Sequence, residues 1–250
     1  MSHVLPDSLA EYLESPEFRE QSRAIHRSQR EAVRRVAEQE EFKSPHLVSV
    51  PLGQRGPWRI ERLVIDQEAA WREQMRALLN PHRPDRAVQL GTYTALVHET
   101  RGVVMSDTPA EIDDHRPVLV KLEDPTVRRV LISGLGLGMV LQHALRQPHV
   151  EHVDVVEIDN DVRYLVGLHY QEMRLQLPHR PGLVIHRGDA LTYKVRHGAR
   201  WDVAWHDIWD EISSDNLPEM ARLKRRYASR VGWQGCWSEP LAREQRRRGR

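Results

Sequence analysis

The chain has 250 residues, of which 40% are apolar and 29% are charged. This composition is that of a globular protein, and it excludes an intrinsically disordered chain. Lys and Arg number 37 against 36 Asp and Glu, so the net charge of +1 does not require a strongly anionic partner. The single cysteine, Cys236, excludes an intrachain disulfide framework and a zinc site built on several thiolates.

The sequence contains no signal for a membrane or for secretion. No apolar run approaches the roughly 18 residues that a membrane span needs. The first residues lack the basic-then-apolar order of a secretory signal. The 14 histidines are scattered, without carboxylates at ligand spacing. We therefore expect a soluble, cytoplasmic protein with no membrane association and no metal site.

Residues 1–85 are expected to form a helical N-terminal extension. Residues 16–43 are polar, rich in helix formers and marked by a narrow apolar stripe. A Pro/Gly-rich loop follows over 44–58, and Asp66 is the expected N-cap of a helix that runs to Leu79. We expect this extension to pack against the rest of the protein or against a second subunit, which would make the protein a homodimer.

A β-hairpin and a linking helix are predicted over residues 86–128. Two strand candidates, 87–99 and 102–105, flank a turn at Thr100–Arg101. Residues 109–122 then have the pattern of a helix with a proline in its first turn.

From residue 129 to residue 242, short apolar runs alternate with helical segments. Strands are predicted at 130–133, 153–158, 183–186, 202–206 and 230–237, and helices at 136–146, 161–172 and 217–230. This alternation predicts an α/β fold: a Rossmann-like, doubly wound, mostly parallel sheet with helices on both faces. Residues 243–250 are expected to be a basic tail, disordered rather than bound to nucleic acid.

Glycines follow the first strand of this predicted core, and acids end the next strands. Gly134, Gly136 and Gly138 permit a sharp turn and a close approach of a ligand to the backbone. Glu157 could accept both hydroxyls of a ribose, and Asp189 could accept a hydrogen bond from an adenine amine. Each acid has a structural alternative, since Glu157 could cap the next helix and Asp189 could form an Asx turn. Their order at successive strand ends predicts a nucleoside site.

The motifs distinguish between two nucleoside cofactors. NAD(P) sites prefer G-x-G-x-x-G, whereas Met139 stands where the third glycine is expected. The GLGLG loop, the VVEID acid, the GDA segment and the DVAWHD strand end resemble the class I S-adenosylmethionine-dependent methyltransferase fold. Within that fold the chain looks most like the spermidine-synthase-like branch, whose fourth strand reads D-V-x-x-x-D-x-x-D. The resemblance implies S-adenosyl-L-methionine as cofactor, bound by Gly134, Gly136, Gly138, Glu157, Asp189 and Ala190.

Asp207 and Asp210 are the candidate catalytic residues. Asp207 ends the fourth strand, where a reacting group would lie, and such acids could hold an amine and take its proton. Trp209 could form a wall of the acceptor pocket. The alternative is a surface cluster of acids that caps the next helix. His206 should point to the opposite face of a regular strand, so it is not favoured as a catalytic residue.

Three functions remain open at this point. The leading interpretation is an S-adenosylmethionine-dependent methyltransferase with an undetermined acceptor; a small molecule, in particular an amine, is favoured over protein or nucleic acid. A spermidine-synthase-like aminopropyltransferase is favoured by Asp207 and Asp210. Against it, Leu137 stands where the resemblance implies an Asp that holds the aminopropyl ammonium. The third function is a non-catalytic nucleoside-binding protein, suggested by the few residues left for the usual last hairpin of the fold.

Overall fold

The computed structural model describes residues 44–72 and 88–248. The chain divides into two compact units, Met1–Phe42 with Ile65–Gly91, and Lys43–Val64 with Thr92–Arg250. In the first unit, residues 67–72 are helical, and Oδ1 of Asp66 accepts a hydrogen bond from the amide of Ala69 at 2.8 Å. Asp66 is therefore the N-cap that the sequence predicted. The predicted helix at 16–43 lies outside the described residues, as does the predicted end of the helix after Asp66.

A small four-stranded sheet precedes the core, in the order β1-β2-β3-β4. Its strands are β1 (Gly53–Arg55), β2 (Trp58–Ile65), β3 (Gly91–His98) and β4 (Gly102–Ser106). The β1–β2 and β3–β4 pairs are antiparallel, and the second of these is the predicted hairpin.

Strands β1 and β2 correct the expectation of a helical extension over residues 1–85 for residues 53–65 alone, which form strands. Trp58 and Ile60 are buried, whereas Arg59 between them is exposed. This alternation has the period of two that belongs to a strand, since successive side chains point to opposite faces. The segment that contains it, Lys43–Val64, clusters with the core rather than with an N-terminal unit.

The core is a parallel sheet of five strands in the order β7-β6-β5-β8-β9. Its strands are β5 (Arg129–Ser133), β6 (His152–Glu157), β7 (Gly182–Arg187), β8 (Trp201–His206) and β9 (Val231–Cys236). Each was predicted from the sequence, and each end differs from its prediction by no more than one residue. The direction of the strand order reverses at β5, which makes the sheet Rossmann-like and doubly wound.

Helices cover both faces of this sheet, as predicted. They are α1 (Pro109–Leu122), α2 (Met139–Arg146), α3 (Asn160–Leu165), α4 (Gly167–Gln176), α5 (Leu217–Tyr227) and α6 (Glu239–Arg248). On one face, the ring of His115 in α1 lies edge-on to Trp205 in β8, with 5.9 Å between centroids. On the other, Leu223 and Tyr227 of α5 pack with Ala204. Trp205 and Ala204 are neighbours in one strand, so they mark its two faces.

Helix α6 corrects the expectation of a disordered basic tail, because residues 243–248 continue it. Ala242 is fully buried and packs with Met220 of α5. Glu239 forms ion pairs with Lys224 and Arg243. Burial of one side of the helix and ion pairs between its arginines and glutamates stabilise it, whereas a purely basic segment would have neither. None of the described helices is long and apolar enough to cross a membrane.

Candidate active site

The carboxyl ends of the central strands border a cavity of about 400 Å³. This volume lies within the range of small-molecule sites, and the position is where doubly wound sheets bind ligands. The cavity brings together all but one of the residues predicted for the site: Gly134, Gly136, Glu157, Asp189, Ala190, Asp207 and Asp210. The small sheet adds lining residues that the sequence analysis missed, chiefly Trp58, Leu96, Arg101, Val104 and Met105.

The glycine loop approaches its neighbours too closely for any side chain. At Gly134, where φ is +87°, an added Cβ would lie 1.8 Å from the carbonyl oxygen of Asp207. At Gly136, where φ is +50°, it would lie 2.4 Å from Sδ of Met105. That sulfur also accepts a hydrogen bond from the amide of Leu137 at 3.2 Å. The first two glycines are thus required by the positive φ and by the close packing, and they form a backbone surface at the cavity.

Gly138, which was also predicted to bind the cofactor, does not line this cavity. Its φ is +75°, and an added Cβ would lie 2.1 Å from Cε2 of Tyr170. The Tyr170 hydroxyl donates to the carbonyl oxygen of Leu137 at 2.9 Å, and the Leu137 side chain is fully buried. The third glycine therefore holds the loop against α4 through packing, and the side chain before it points into the core.

Glu157 connects the glycine loop to the end of β6. Its carboxylate accepts hydrogen bonds from the amides of Leu135 at 2.7 Å and Asp159 at 2.8 Å. The residue is buried, and burial raises the pKa of Glu157 while these backbone hydrogen bonds oppose the rise. A carboxylate has about four acceptor positions, so this one is held rigidly and can still accept from ligand hydroxyls.

Asp159, rather than Glu157, caps the helix that follows β6. Its Oδ1 accepts hydrogen bonds from the amides of Asp161 at 2.8 Å and Val162 at 3.2 Å. Its Oδ2 accepts from the indole Nε1 of Trp58 at 2.8 Å. The alternative reading of Glu157 as a helix cap is therefore wrong. Trp58 was missed because it lies in a segment that composition marks as a loop.

Asp189 forms the Asx turn that was its structural alternative. Its Oδ1 accepts from the amide of Leu191 at 2.8 Å, and its Oδ2 accepts from the hydroxyl of Thr192 at 3.2 Å. Ala190 is buried and belongs to the same hydrophobic cluster as Trp201. The turn holds the Asp189 carboxylate in one orientation at the cavity wall, so the structural role and a binding role are compatible.

Asp207 is a largely buried acid beside a fully buried histidine. Its Oδ2 lies 3.6 Å from Nε2 of His115, and neither ring nitrogen of His115 has a hydrogen-bond partner among the described residues. Burial lowers the pKa of His115 to about 4, so the imidazole is neutral near pH 7. Burial also raises the pKa of Asp207 well above its ordinary value. Four further carboxylates add to that rise: Glu111, Asp114, Asp210 and Glu157.

The two neighbours His206 and Asp207 point to opposite faces, as the alternation predicted. Nδ1 of His206 lies 2.9 Å from the Ser133 hydroxyl, and its ring stacks on Tyr227 with 5.4 Å between centroids. His115, in contrast, was missed by the sequence analysis. The available signal was the i, i+4 spacing of Glu111 and His115, which places both on one face of α1.

Asp210 is paired with a cation from the small sheet. It forms an ion pair with Arg101 in the β3–β4 turn, and the two side chains are 47% and 43% exposed. The guanidinium carbon of Arg101 lies 4.7 Å from the centroid of the Trp58 ring. Asp159, Trp58, Arg101 and Asp210 therefore form a continuous row of contacts along one wall of the cavity, here called the Arg101 bridge.

Trp209 lines the cavity, as predicted, and its Nε1 donates to Oε2 of Glu219 at 3.0 Å. Trp205, by contrast, is a core residue. Within the described ranges, no group of His, Cys, Asp and Glu side chains could hold a metal ion.

Short segments of the chain are similar to known aminopropyltransferases. No family model matches the chain. Polyamine aminopropyltransferase of Synechococcus sp. (strain JA-2-3B'a(2-13)) is 36% identical over 87 residues, and that of Agathobacter rectalis is 38% identical over 78 residues. These matches cover 35% and 30% of this chain. The chain spans 28% and 25% of the lengths of the two relatives.

Several solved methyltransferases are similar in structure. The CcbJ methyltransferase from Streptomyces caelestis is 17% identical, with a TM-score of 0.35 over 49% of this chain and 45% of that one. A SAM-bound amino pentose methyltransferase from Micromonospora echinaspora is 23% identical, with a TM-score of 0.31 over 48% and 45%. Both TM-scores lie below 0.5, so the fold is assigned here from the strand order itself.

Proposed function

We propose that the protein is an S-adenosylmethionine-dependent transferase that methylates a small acceptor. The observation that carries this proposal is the convergence of the glycine loop, Glu157, Asp189 and Asp207 on one cavity. These groups come from four different strand ends, and they meet where the strand order reverses. The motif resemblance supports S-adenosyl-L-methionine rather than a dinucleotide, because Met139 replaces the third glycine of a dinucleotide loop.

The residues of the cavity fit a nucleoside of this kind. We assign the ribose hydroxyls to Glu157, whose carboxylate is held by two backbone amides and keeps unused acceptor capacity. We assign the adenine edge to Asp189 and Ala190, and the close backbone approach to Gly134 and Gly136. The cofactor, when bound, supplies an electrophilic methyl group on a sulfonium. Positioning of the acceptor is then the main contribution of the protein.

Asp207 is the residue that we assign to the acceptor. A largely buried carboxyl whose pKa is raised takes up a proton at a higher pH than an ordinary aspartate, which suits removal of a proton from an amine or hydroxyl. Its backbone is fixed, since its amide donates to the carbonyl oxygen of Ser133 at 2.8 Å. His115, which is neutral and buried beside it, is assigned as a positioning residue. Asp210 keeps a supporting role at the end of the Arg101 bridge.

Aminopropyl transfer is the second candidate, and the names of the curated relatives favour it. Two observations oppose it. The Leu137 side chain is fully buried and apolar, so it cannot pair with an aminopropyl ammonium. The Asp210 carboxylate, which would serve a cationic acceptor, already pairs with Arg101.

Calorimetric titration with S-adenosylhomocysteine and with 5′-methylthioadenosine tests the nucleoside site. We expect both to bind; failure of both would contradict the proposal. Product analysis with S-adenosylmethionine and with its decarboxylated form, on a mixture of small amines and alcohols, then separates the reactions. A methylated product supports the proposed reaction, an aminopropylated product supports the second candidate, and binding without any product indicates a non-catalytic nucleoside-binding protein.

A further inference from the structure

We infer that Arg101 fills a cation subsite of the cavity and thereby selects against acceptors that carry a second positive charge, such as diamines. The inference names which acceptors the proposed transferase admits, so it rests on the proposed function. Two members of the Arg101 bridge, Trp58 and Arg101, come from the small sheet and lie outside the motifs at the strand ends of the core.

The side chains around Arg101 have the chemistry of a cation site. The carboxylate of Asp210 supplies a negative charge, and the Trp58 ring supplies an aromatic face 4.7 Å from the guanidinium carbon. A carboxylate beside an aromatic face is a combination that attracts ammonium and guanidinium groups. Trp58 is a rigid wall, because it is 4% exposed and its indole is hydrogen-bonded to Asp159 at 2.8 Å.

The occupant of this site is the protein's own side chain. Among the described residues that line the cavity, Arg101 alone is a lysine or arginine, whereas the acids are Glu157, Asp159, Asp189, Asp207, Asp210 and Glu219. Without Arg101, Asp210 would face the cavity as an uncompensated carboxylate. With it, the charge of Asp210 is cancelled and the face of Trp58 is covered.

A diamine would need this subsite if one amine is held at Asp207. Asp207 and Asp210 line the same cavity, and the second amine would have to displace the guanidinium from Asp210. A tethered cation competes at an effective concentration in about the millimolar range, so it disfavours weakly bound cations. An acceptor that is neutral, or that carries a single amine, does not meet this competition.

Titration with 1,4-diaminobutane tests the inference, with and without saturating S-adenosylhomocysteine. The variants are Arg101→Met, which removes the cation, and Arg101→Lys, which retains it. Arg59→Met is the matched control, since Arg59 pairs with Glu61 at a similar exposure and does not line the cavity. The loss of one surface ion pair and one cation–π contact corresponds to an expected gain of roughly tenfold in diamine affinity for Arg101→Met.

The result expected is tighter diamine binding by Arg101→Met alone, with Arg101→Lys and Arg59→Met close to the wild type. Adding Asp210→Asn to Arg101→Met should abolish the gain. Wild-type binding as tight as that of Arg101→Met would overturn the inference, as would an equal gain in Arg59→Met. Affinity for S-adenosylhomocysteine is measured on the same wild-type sample, so failure of the nucleoside site is distinguished from failure of the cation subsite.

Discussion

Nε2 of His115 lies 3.6 Å from Oδ2 of Asp207, and the two side chains are 1% and 11% exposed. At this distance the atoms are beyond normal hydrogen-bond range. The imidazole is neutral, because burial lowers its pKa to about 4. The Asp207 carboxylate therefore gains no opposite charge from His115, while burial and the surrounding acids favour its protonated form. A carboxyl group whose ionised form is disfavoured in this way, at the wall of a cavity, is typical of a residue in a functional site.

We expect Asp207→Asn to reduce turnover by at least ~100-fold, because a positioned proton acceptor contributes about 10²–10⁴ in rate. Nucleoside affinity should change little, since the assigned ribose and adenine contacts lie on other strands. The variant should also be more stable than the wild type at pH 7. A raised pKa means that the ionised carboxyl costs stability above the unfolded pKa near 3.8, and asparagine has no such cost.

Turnover, nucleoside affinity and the free energy of unfolding are measured on this one variant. The stability gain should shrink on acidification and disappear near pH 4. Asp215→Asn, at an exposed acid, is the control and should alter neither turnover nor stability appreciably. Full turnover in a stable Asp207→Asn protein would end the catalytic assignment.

His115 should make folding less favourable as the pH falls from 6.5 towards 4. In this window the unfolded chain binds a proton on this residue and the folded protein does not, so stability is lost at up to about 1.4 kcal/mol per pH unit. His115→Gln should make the slope of unfolding free energy against pH shallower. Asp207→Asn should make this slope steeper, because Asp207 acts in the opposite direction. Its raised pKa means that the folded protein, rather than the unfolded chain, holds a proton on this residue in the same pH window. Urea unfolding at several pH values measures both, and slopes that change in the same direction would contradict the two pKa shifts.

Glu157→Gln should weaken binding of S-adenosylhomocysteine by about one to two decades. A hydrogen bond to a charged group is worth about 1.5–3 kcal/mol, and the amide also turns one NH₂ group towards a backbone donor. The amides of Leu135 and Asp159 both donate to the native carboxylate, so some loss of stability is expected as well. Calorimetry well below the melting temperature separates the two effects. Glu172→Gln, at an exposed position, is the control. If Glu157→Gln bound S-adenosylhomocysteine as tightly as this control, Glu157 would not be part of the ribose site.

Gly134→Ala should destabilise the protein far more than Gly102→Ala. Both glycines have a positive φ, of +87° and +73°, so alanine costs about 1–2 kcal/mol at either position from conformation alone. At Gly102 an added Cβ meets nothing within 4 Å, whereas at Gly134 it meets a backbone oxygen at 1.8 Å. Denaturant unfolding of both variants checks the difference. Equal losses in the free energy of unfolding for the two variants would contradict the prediction, because the close contact with the Asp207 carbonyl oxygen would then cost no stability.

The strands of the core and the order of the site motifs could be predicted from the sequence because both are local properties. Buried parallel strands are short apolar runs, and a left-handed turn after β5 requires glycine at Gly134 and Gly136 whatever surrounds them. In the same way, Glu157, Asp189 and Asp207 could be assigned to one site, because the carboxyl ends of parallel strands lie at the same edge of a sheet.

Only the tertiary structure decided what each of these groups meets. Trp58, Arg101 and Met105 lie well before the glycine loop in the chain, and the small sheet brings them to the cavity. Whether Asp210 is a free acid depends on the distance to Arg101, and the proton affinity of Asp207 depends on burial and on neighbours from α1. Charge compensation and desolvation act through space, so they follow from the folded arrangement and not from spacing along the chain.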